Sequence, residues 1–377
     1  MKMISTEVVV LGLGGMGSAA IYSLSKRGVN AIGIEQFSIG HSNGSSHGET
    51  RIIRQAYFEH SDYVPLLKRS YELWKEIASQ SPLPIIDQRG VVIFGDPNSS
   101  FVYQESLRSA KTHQIPIETM NSKSVHQKWP EYQPLDHHMG LYEPGGGLVY
   151  PENTIKTHIR LAMDLGAEII ENTPVSSITP KGEKFELKVG SSTITAKKLI
   201  ITGGAWSNQL LVDLNLPLKL KRKTLAWFKL KKSQTPNSGT PCFAYHIDGH
   251  FFYGFPSLDG QTVKIAEHFS GEEISTPDQK KLDSIPESEL KLLQKFIEAH
   301  LPKVSSNLEK YATCLYTMTP DEHFIIDRHP SHPNIVFAAG FSGHGFKFVP
   351  VIGEILSELT LDGRTNHQID FLGLKRF

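Results

Sequence analysis

Glu7-Val-Val-Val-Leu11 runs directly into Gly12-Leu13-Gly14-Gly15-Met16-Gly17, and Ser18-Ala-Ala-Ile-Tyr-Ser-Leu-Ser-Lys-Arg27 follows before the chain meets Gly28. Three successive Val residues favour extended backbone, and their unbroken apolar run suits a strand covered on both faces. Residues 18–27 carry apolar side chains at helical spacing, and a glycine such as Gly28 closes a helix readily. Asn30-Ala-Ile-Gly-Ile-Glu35 supplies a second short strand. Strand, turn, helix and strand within about thirty residues make a βαβ unit, the smallest parallel crossover. Gly12, Gly14 and Gly17 fit GxGxxG between that strand and helix, with Gly15 and Met16 completing the loop. The first glycine makes the tight turn, the second admits backbone close to a pyrophosphate, and the third lets helix and strand pack. Phosphate charge would then meet the positive end of the helix dipole. Glu35, eighteen residues beyond Gly17, stands where a carboxylate accepts hydrogen bonds from a ribose diol. A tight turn with a surface Glu would share the glycines, but its flanking elements favour a dinucleotide, NAD and FAD alike.

The blocks that follow extend this pattern and then break it. Tyr63–Ser79 reads as an amphipathic helix and Gly90–Gly95 as a buried strand. Asn153–Gly166 reads as a helix leading into a strand over Glu168–Glu171, and Lys198–Thr202 as an apolar strand ending in Gly203-Gly204. Cys242–Phe255 then alternates around Asp248-Gly249, a strong two-residue hairpin signal, so antiparallel sheet replaces βαβ there. Asn334–Gly340 returns to a buried parallel-type strand, followed by Gly343-His344-Gly345 and a helix over Val351–Leu361. The expected fold is α/β: a discontinuous Rossmann-type dinucleotide domain (1–85, 150–216 and 321–377) with a second, antiparallel-sheet substrate domain (86–149 and 217–320).

Composition narrows the function classes. Lys+Arg and Asp+Glu balance at 39 each over 377 residues, so no overall field draws the protein to nucleic acid or to an anionic membrane. No run of about eighteen apolar residues offers a membrane span. Two cysteines, Cys242 and Cys314, build no disulfide framework, and a cytoplasmic setting is expected. No metal site is expected either: His246 and His250 straddle a hairpin, HExxH is absent, and His329-Pro-Ser-His-Pro333 reads as a loop. A GxSxG elbow for hydrolysis is also missing.

Five further segments carry a specific likeness. They are Asn43-Gly-Ser-Ser-His-Gly-Glu-Thr-Arg-Ile-Ile-Arg54; Tyr253-Gly-Phe-Pro256; Lys264 with His268; Cys314-Leu-Tyr-Thr-Met-Thr-Pro-Asp-Glu-His-Phe-Ile-Ile-Asp327; and Gly340-Phe-Ser-Gly-His-Gly-Phe-Lys-Phe348. Together they resemble the monomeric sarcosine oxidase and N-methyltryptophan oxidase family of FAD-dependent amine oxidases, over nearly the whole chain. By itself Cys314 would read as a small buried apolar residue, Lys264 as a solvent-facing strand lysine, and each His as structural. The resemblance instead implies a thioether from Cys314 to the 8α-methyl of the flavin. It implies Arg54 and Lys347 as the clamp for a substrate carboxylate, and Arg51 and Lys264 as cations beside the flavin ring. Such cations stabilise the charge formed when oxygen is reduced. Tyr253, His268 and His47 correspond to pocket residues. Gly343, His344, Gly345 and Phe346 fall beside the flavin, where bare glycines admit backbone N–H groups. Gln36, Ser45, Thr50, Val175, Gly203 and Trp206 complete the implied cofactor contacts.

The implied reaction oxidises a small N-methyl amino acid such as sarcosine, giving glycine, formaldehyde and hydrogen peroxide, in a monomer. Oxidation of N-methyl-L-tryptophan or L-pipecolate, or dehydrogenation on the same fold, remains an alternative. Three positions depart from the family pattern: Ser46 replaces a second His, Glu49 replaces an Asp, and Ala244 replaces a Met. A shorter side chain at 244 widens the pocket unless a neighbour such as Tyr245 refills it.

Overall fold

The computed structural model describes residues 3–233 and 239–377. Met3–Leu11 pairs in parallel with Ala31–Ile34 on one side and Ser192–Ile201 on the other. Glu168–Ile170 and Ile335–Ala339 extend the parallel region outward, and Val175–Lys181, Lys184–Val189 and Ile325–Arg328 add antiparallel strands, making eight. The central strand is apolar from Val8 to Leu11, where both faces are covered. Val8 and Val10 pack into a cluster with the helices Gly15–Lys26, Tyr63–Ser79, Pro151–Asp164 and Val349–Leu361, while Val9 and Leu11 join Ile32, Ile34, Leu187 and Leu199 on the other face. A small antiparallel sheet pairs Gly147–Val149 with Arg51–Ile53 and Ile86–Asp87.

The second large sheet has nine strands, contributed by 91–143 and 219–318. Its longest strands, Lys219–Leu230 and Val304–Met318, pair antiparallel along most of their length. Alternation sorts its residues onto two faces. Val92, Phe94, Phe243, Tyr245, Phe252, Ile265 and Phe228 pack against Leu293, Phe296 and Ile297 of the helix Glu287–His300. One position out of phase, Val91, Ile93, Cys242, Ala244 and Phe255 form a separate cluster, as do Leu225, Trp227, Ala266 and Cys314. Tyr245 therefore lies on the helix-covered face, away from the space beside Ala244.

Other differences from the sequence reading have local causes. The first helix begins at Gly15, three residues before Ser18, because Gly14 already accepts the amide of Ser18. Ser192–Ile201 starts well before Lys198, since Ser192–Ala196 also pairs antiparallel with Phe185–Val189. The hairpin turns at Asp248 (φ 50°) and Gly249 (φ 77°), pairing Ile247 with His250, as its dipeptide predicts. No helix among the described residues is long and apolar enough to cross a membrane.

Tyr63–Ser79 links this core to the cavity described next. Trp74 is fully buried, and its Nε1 donates to the Lys347 carbonyl at 3.0 Å, beside Ser70 Oγ at 2.7 Å. Trp74→Phe removes one donor and leaves a void. It is expected to lower the unfolding free energy by about 1–3 kcal/mol, read as a lower urea midpoint at unchanged slope.

Candidate active site

A cavity of about 450 Å³ opens between the two large sheets, walled at one end by the glycine loop and at the other by Arg54, Tyr253, His268 and Lys347. At the first end the three motif glycines have separate jobs. Gly12 sits at φ +87°, and a Cβ at Gly17 would lie 1.8 Å from the Gly12 carbonyl oxygen, so helix and turn touch only because Gly17 has no side chain. A Cβ on Gly14 would meet nothing nearer than Ser46 Oγ at 4.0 Å, which leaves that side of the loop open to the cavity. Glu35 is buried and accepts the amides of Leu13 (2.8 Å) and Phe37 (3.1 Å). Gln36, Val175, Gly203 and Trp206 complete this end of the wall. An open glycine loop at a helix N-terminus with a fixed carboxylate beyond it fits the pyrophosphate and ribose of a dinucleotide.

Sheet register builds the other end. Ile93, Ala244, Tyr253 and Ala266 are paired neighbours in one row across four strands. Ile93, Ala244 and Tyr253 line the cavity, with Phe251, His268 and Tyr316 beside them. Tyr316 was not foreseen, although it stands two residues from Cys314, the spacing that returns a strand to the same face. Its hydroxyl contacts His268 Nδ1 at 3.1 Å. Burial, then the charge of Lys223, pushes the His268 imidazole down to about 3, so it is neutral.

Two cations close this end. Arg54 donates to Ala56 O at 2.7 Å and to both carboxylate oxygens of Glu59 at 2.9 and 2.7 Å, its guanidinium against the rings of Tyr57 and Phe58. Lys347 Nζ donates to His344 O at 2.7 Å and lies 5.1 Å from the Tyr57 ring centre. Both are buried, as is His344, whose Nδ1 meets Tyr57 Oη at 2.5 Å. Burial opposes ionisation of Glu59, but Arg54, His344 and Lys347 outweigh it and bring its carboxyl down to about 2. Sequence reasoning missed Glu59, because nothing local marks an acid five residues past an arginine as its partner. Burial lowers Lys347 to about 7, with Glu59 opposing that shift.

The glycine-rich turn is bare for a further, structural reason. Gly343 has φ +81°, and a Cβ there would lie 2.2 Å from the Tyr316 ring, so the missing side chain makes room for Tyr316. Gly343, His344, Gly345 and Phe346 do line the cavity, as do Gly12, Gly14, Gly15, Met16, Ser45 and Arg51.

Five expected residues stand behind the wall. Gly17 faces the turn, and Thr50 turns its carbonyl and hydroxyl to Lys264. Lys264 Nζ donates to Gly48 O (2.5 Å), Thr50 O (2.9 Å) and Thr50 Oγ1 (3.2 Å), which fixes it behind the 48–50 turn. Cys314 Sγ lies 3.4 Å from Ser45 O and 3.5 Å from Arg51 Nη2, one layer back from the cavity. His47 is buried with Nε2 3.5 Å from Lys280 Nζ, and burial followed by the Lys280 charge lowers it to about 3. Of the departures, Ser46 accepts the Gly15 amide at 3.3 Å, and Glu49 faces outward to Lys310.

The sequence profile of the family described as FAD dependent oxidoreductase matches residues 7–359. The chain belongs to that family. It is similar to monomeric sarcosine oxidase of Streptomyces avermitilis, 40% identical over 377 residues that cover 98% of this chain and 97% of that protein. N-methyl-L-tryptophan oxidase of Yersinia pestis is 33% identical over 372 residues, covering 98% and 99%. Among solved structures, L-proline dehydrogenase from P. horikoshii superposes with a TM-score of 0.85 over 100% of this chain and 98% of that one, at 22% identity, which speaks to the fold alone. The protein is thus an FAD-dependent oxidoreductase.

The second end of this oxidoreductase's cavity gives a pH prediction. Lys347 is depressed to about 7, so its ammonium is present below that pH and lost above it. Affinity for a carboxylate competitor such as acetate should therefore fall as pH rises through about 7. Titration of flavin absorbance at several pH values checks this, and Lys347→Met should flatten the dependence.

Proposed function

We propose that the protein is an FAD-dependent oxidase of a small secondary amino acid, of the sarcosine class, releasing hydrogen peroxide. The observation that carries the reading is that one cavity joins the glycine loop and Glu35 to the buried pair Arg54 and Lys347. A planar guanidinium and an ammonium suit a carboxylate, which in a dry site needs charge-assisted partners. Because both oxygens of Glu59 accept from Arg54 Nη2, an incoming carboxylate competes with an internal one. Tyr253 and neutral His268 would line the amine. Bound FAD would supply the redox chemistry: the amine would lose a hydride from the carbon on nitrogen and a proton from nitrogen, becoming an imine, and the two electrons and two protons would reduce oxygen to hydrogen peroxide. The resulting imine would hydrolyse to amine and aldehyde. Peroxide release with sarcosine, assayed beside N-methyl-L-tryptophan, L-pipecolate and L-proline, tests the substrate class.

Ala244 favours a second reading within this class. It sits between Ile93 and Tyr253, and its neighbour Tyr245 points to the opposite face of the sheet. The space this leaves suits an amine substituent larger than methyl, or a ring joining nitrogen to the α-carbon. We assign the reaction to a monomer, following the name of the similar enzymes, and to the cytoplasm, in keeping with two unpaired cysteines.

Covalent attachment through Cys314 belongs to the same proposal. Its support is the placement of Sγ against Ser45 and Arg51, both of which line the cavity. Yellow colour should therefore stay with acid-precipitated protein and move to the supernatant for Cys314→Ala.

Lys264 and Arg51 are assigned to oxygen reduction. Three protein oxygens, Gly48 O, Thr50 O and Thr50 Oγ1, hold Lys264 Nζ in place. A fixed charge helps most where negative charge develops. Lys264→Met should slow reoxidation by oxygen by about a hundredfold or more, and anaerobic reduction by substrate far less, in stopped-flow measurements. Equal slowing of both would mean that Lys264 acts by holding the 48–50 turn.

A further inference from the structure

The segment Glu267–Ser270 leaves its strand and crosses the end of the cavity, and its backbone is satisfied in an unusual way. His268 N donates to Phe251 O at 2.8 Å. Every other polar group of the 268–270 backbone for which a partner is seen is held by two buried side chains. The Glu267 carboxylate accepts the amides of Phe269 (3.0 Å) and Ser270 (2.5 Å), together with that of Phe251 (3.1 Å) on the adjacent strand. Lys223 Nζ donates to His268 O at 3.1 Å and to Ser270 O. The two side chains face each other at 3.7 Å and are only 3% and 5% exposed. They come from different strands, Lys219–Leu230 and Thr262–Glu267, and meet under the segment they bind.

We propose that Lys223 and Glu267 are a positioning pair for the active site, fixing through the main chain His268 on the cavity wall and Phe269 behind it. The inference rests on the reading of His268 as a substrate-side residue. Buried backbone groups outside a ladder or helix must find partners elsewhere, and a buried ion pair survives only where further hydrogen bonds satisfy it. Here each requirement meets the other. The carboxylate takes three amides, the ammonium takes two carbonyls, and the charges neutralise one another. Once the main chain is fixed, the His268 ring is set by Tyr316 Oη at Nδ1, which leaves Nε2 as its free nitrogen for the cavity that His268 lines. Phe269 is set against Phe251, with ring centres 5.5 Å apart, and Phe251 also lines the cavity. Lys223 adds an electrostatic influence, as a positive charge behind a ring that must stay neutral to accept a proton or a hydrogen bond. Glu289, on the helix Glu287–His300, and Lys221 are the other charges acting on Lys223. Neither it nor Glu267 lines the main cavity. Their influence on the reaction is therefore indirect.

The test uses the flavin-loaded protein and two readouts. In Lys223→Met, hydrogen exchange at the Phe269 and Ser270 amides should rise about tenfold or more, while the central strand Met3–Leu11 stays unchanged. kcat/KM for sarcosine should fall about tenfold or more, but by less than about twofold when the same change is made in His268→Ala. If the loss is the same in both backgrounds, Lys223 does not act through His268 and the proposal is overturned. Unchanged exchange at 269–270, or a rise across the whole protein, overturns it equally. Glu267→Gln keeps an acceptor oxygen and the side-chain shape, so it should show the same local pattern at smaller size and serves if Lys223→Met does not fold. Wild-type protein that releases no peroxide from sarcosine would count against the substrate reading alone, and the exchange measurement would still decide the role of the pair.

Discussion

A guanidinium or ammonium taken out of water must recover its hydrogen bonds from the protein, and several such groups crowd the region around one cavity. Each is satisfied locally. Arg51 finds Ser45 O and Thr50 O, Lys264 finds Gly48 O and Thr50, Lys347 finds His344 O, and Arg54 finds Ala56 O and Glu59. Most of these partners are main-chain carbonyls, which satisfy a donor without cancelling its charge. The region is left electropositive in a low-dielectric setting, where an anionic ligand is held far more strongly than in water. Glu59 and Glu267 are buried carboxylates in this region that do carry opposing charge, and each sits where a cation or a loop has to be steadied.

The fold makes this arrangement possible by dividing labour between two sheets. The parallel sheet is buried on both faces and supplies a rigid platform whose glycine turn opens at the strand ends, the usual place for a dinucleotide. The nine-stranded sheet, antiparallel except where Cys242–Ile247 runs parallel to Val91–Gly95, has one face sealed by the helix Glu287–His300, and its other face carries the side chains that reach the cavity. Because side chains alternate, residues distant in sequence such as Ile93, Ala244 and Tyr253 fall into one row, while their neighbours Val92, Tyr245 and Phe252 serve the opposite core. One sheet thus provides both a hydrophobic core and a chemical surface. A shift of register by one residue would exchange the two.

Polar support around the site reaches well beyond the groups that line it. Glu152 accepts the Gly48 and Glu49 amides at 2.6 and 3.1 Å, opposite the carbonyls held by Lys264, so the 48–50 turn is gripped from both sides. Ser70 and Trp74 grip the Lys347 carbonyl in the same manner. The turns of this site have few ladder hydrogen bonds of their own. They hold their shape through side chains sent from helices and strands behind them.

The sequence by itself determined the two kinds of sheet, the glycine loop with Glu35, the Asp248-Gly249 hairpin and the helix Tyr63–Ser79. These are local signals, written in side-chain periodicity and in dipeptides with few backbone options. Through the likeness of whole motifs it also pointed to Arg51, Arg54, Tyr253, His268 and Lys347, which the fold gathers at one cavity. Tertiary structure alone decided which charge meets which. Arg54 pairs with Glu59, Lys223 with Glu267, and Lys264 with the carbonyls of the 48–50 turn, and no spacing in the chain announces those partners. It also decided that Gly343 is bare for the sake of the Tyr316 ring and that Tyr245 turns away from Ala244. The physical reason is common to all of these. Periodicity fixes which way a side chain points from its own strand or helix, but its partner across a buried gap depends on how two sheets are set against each other.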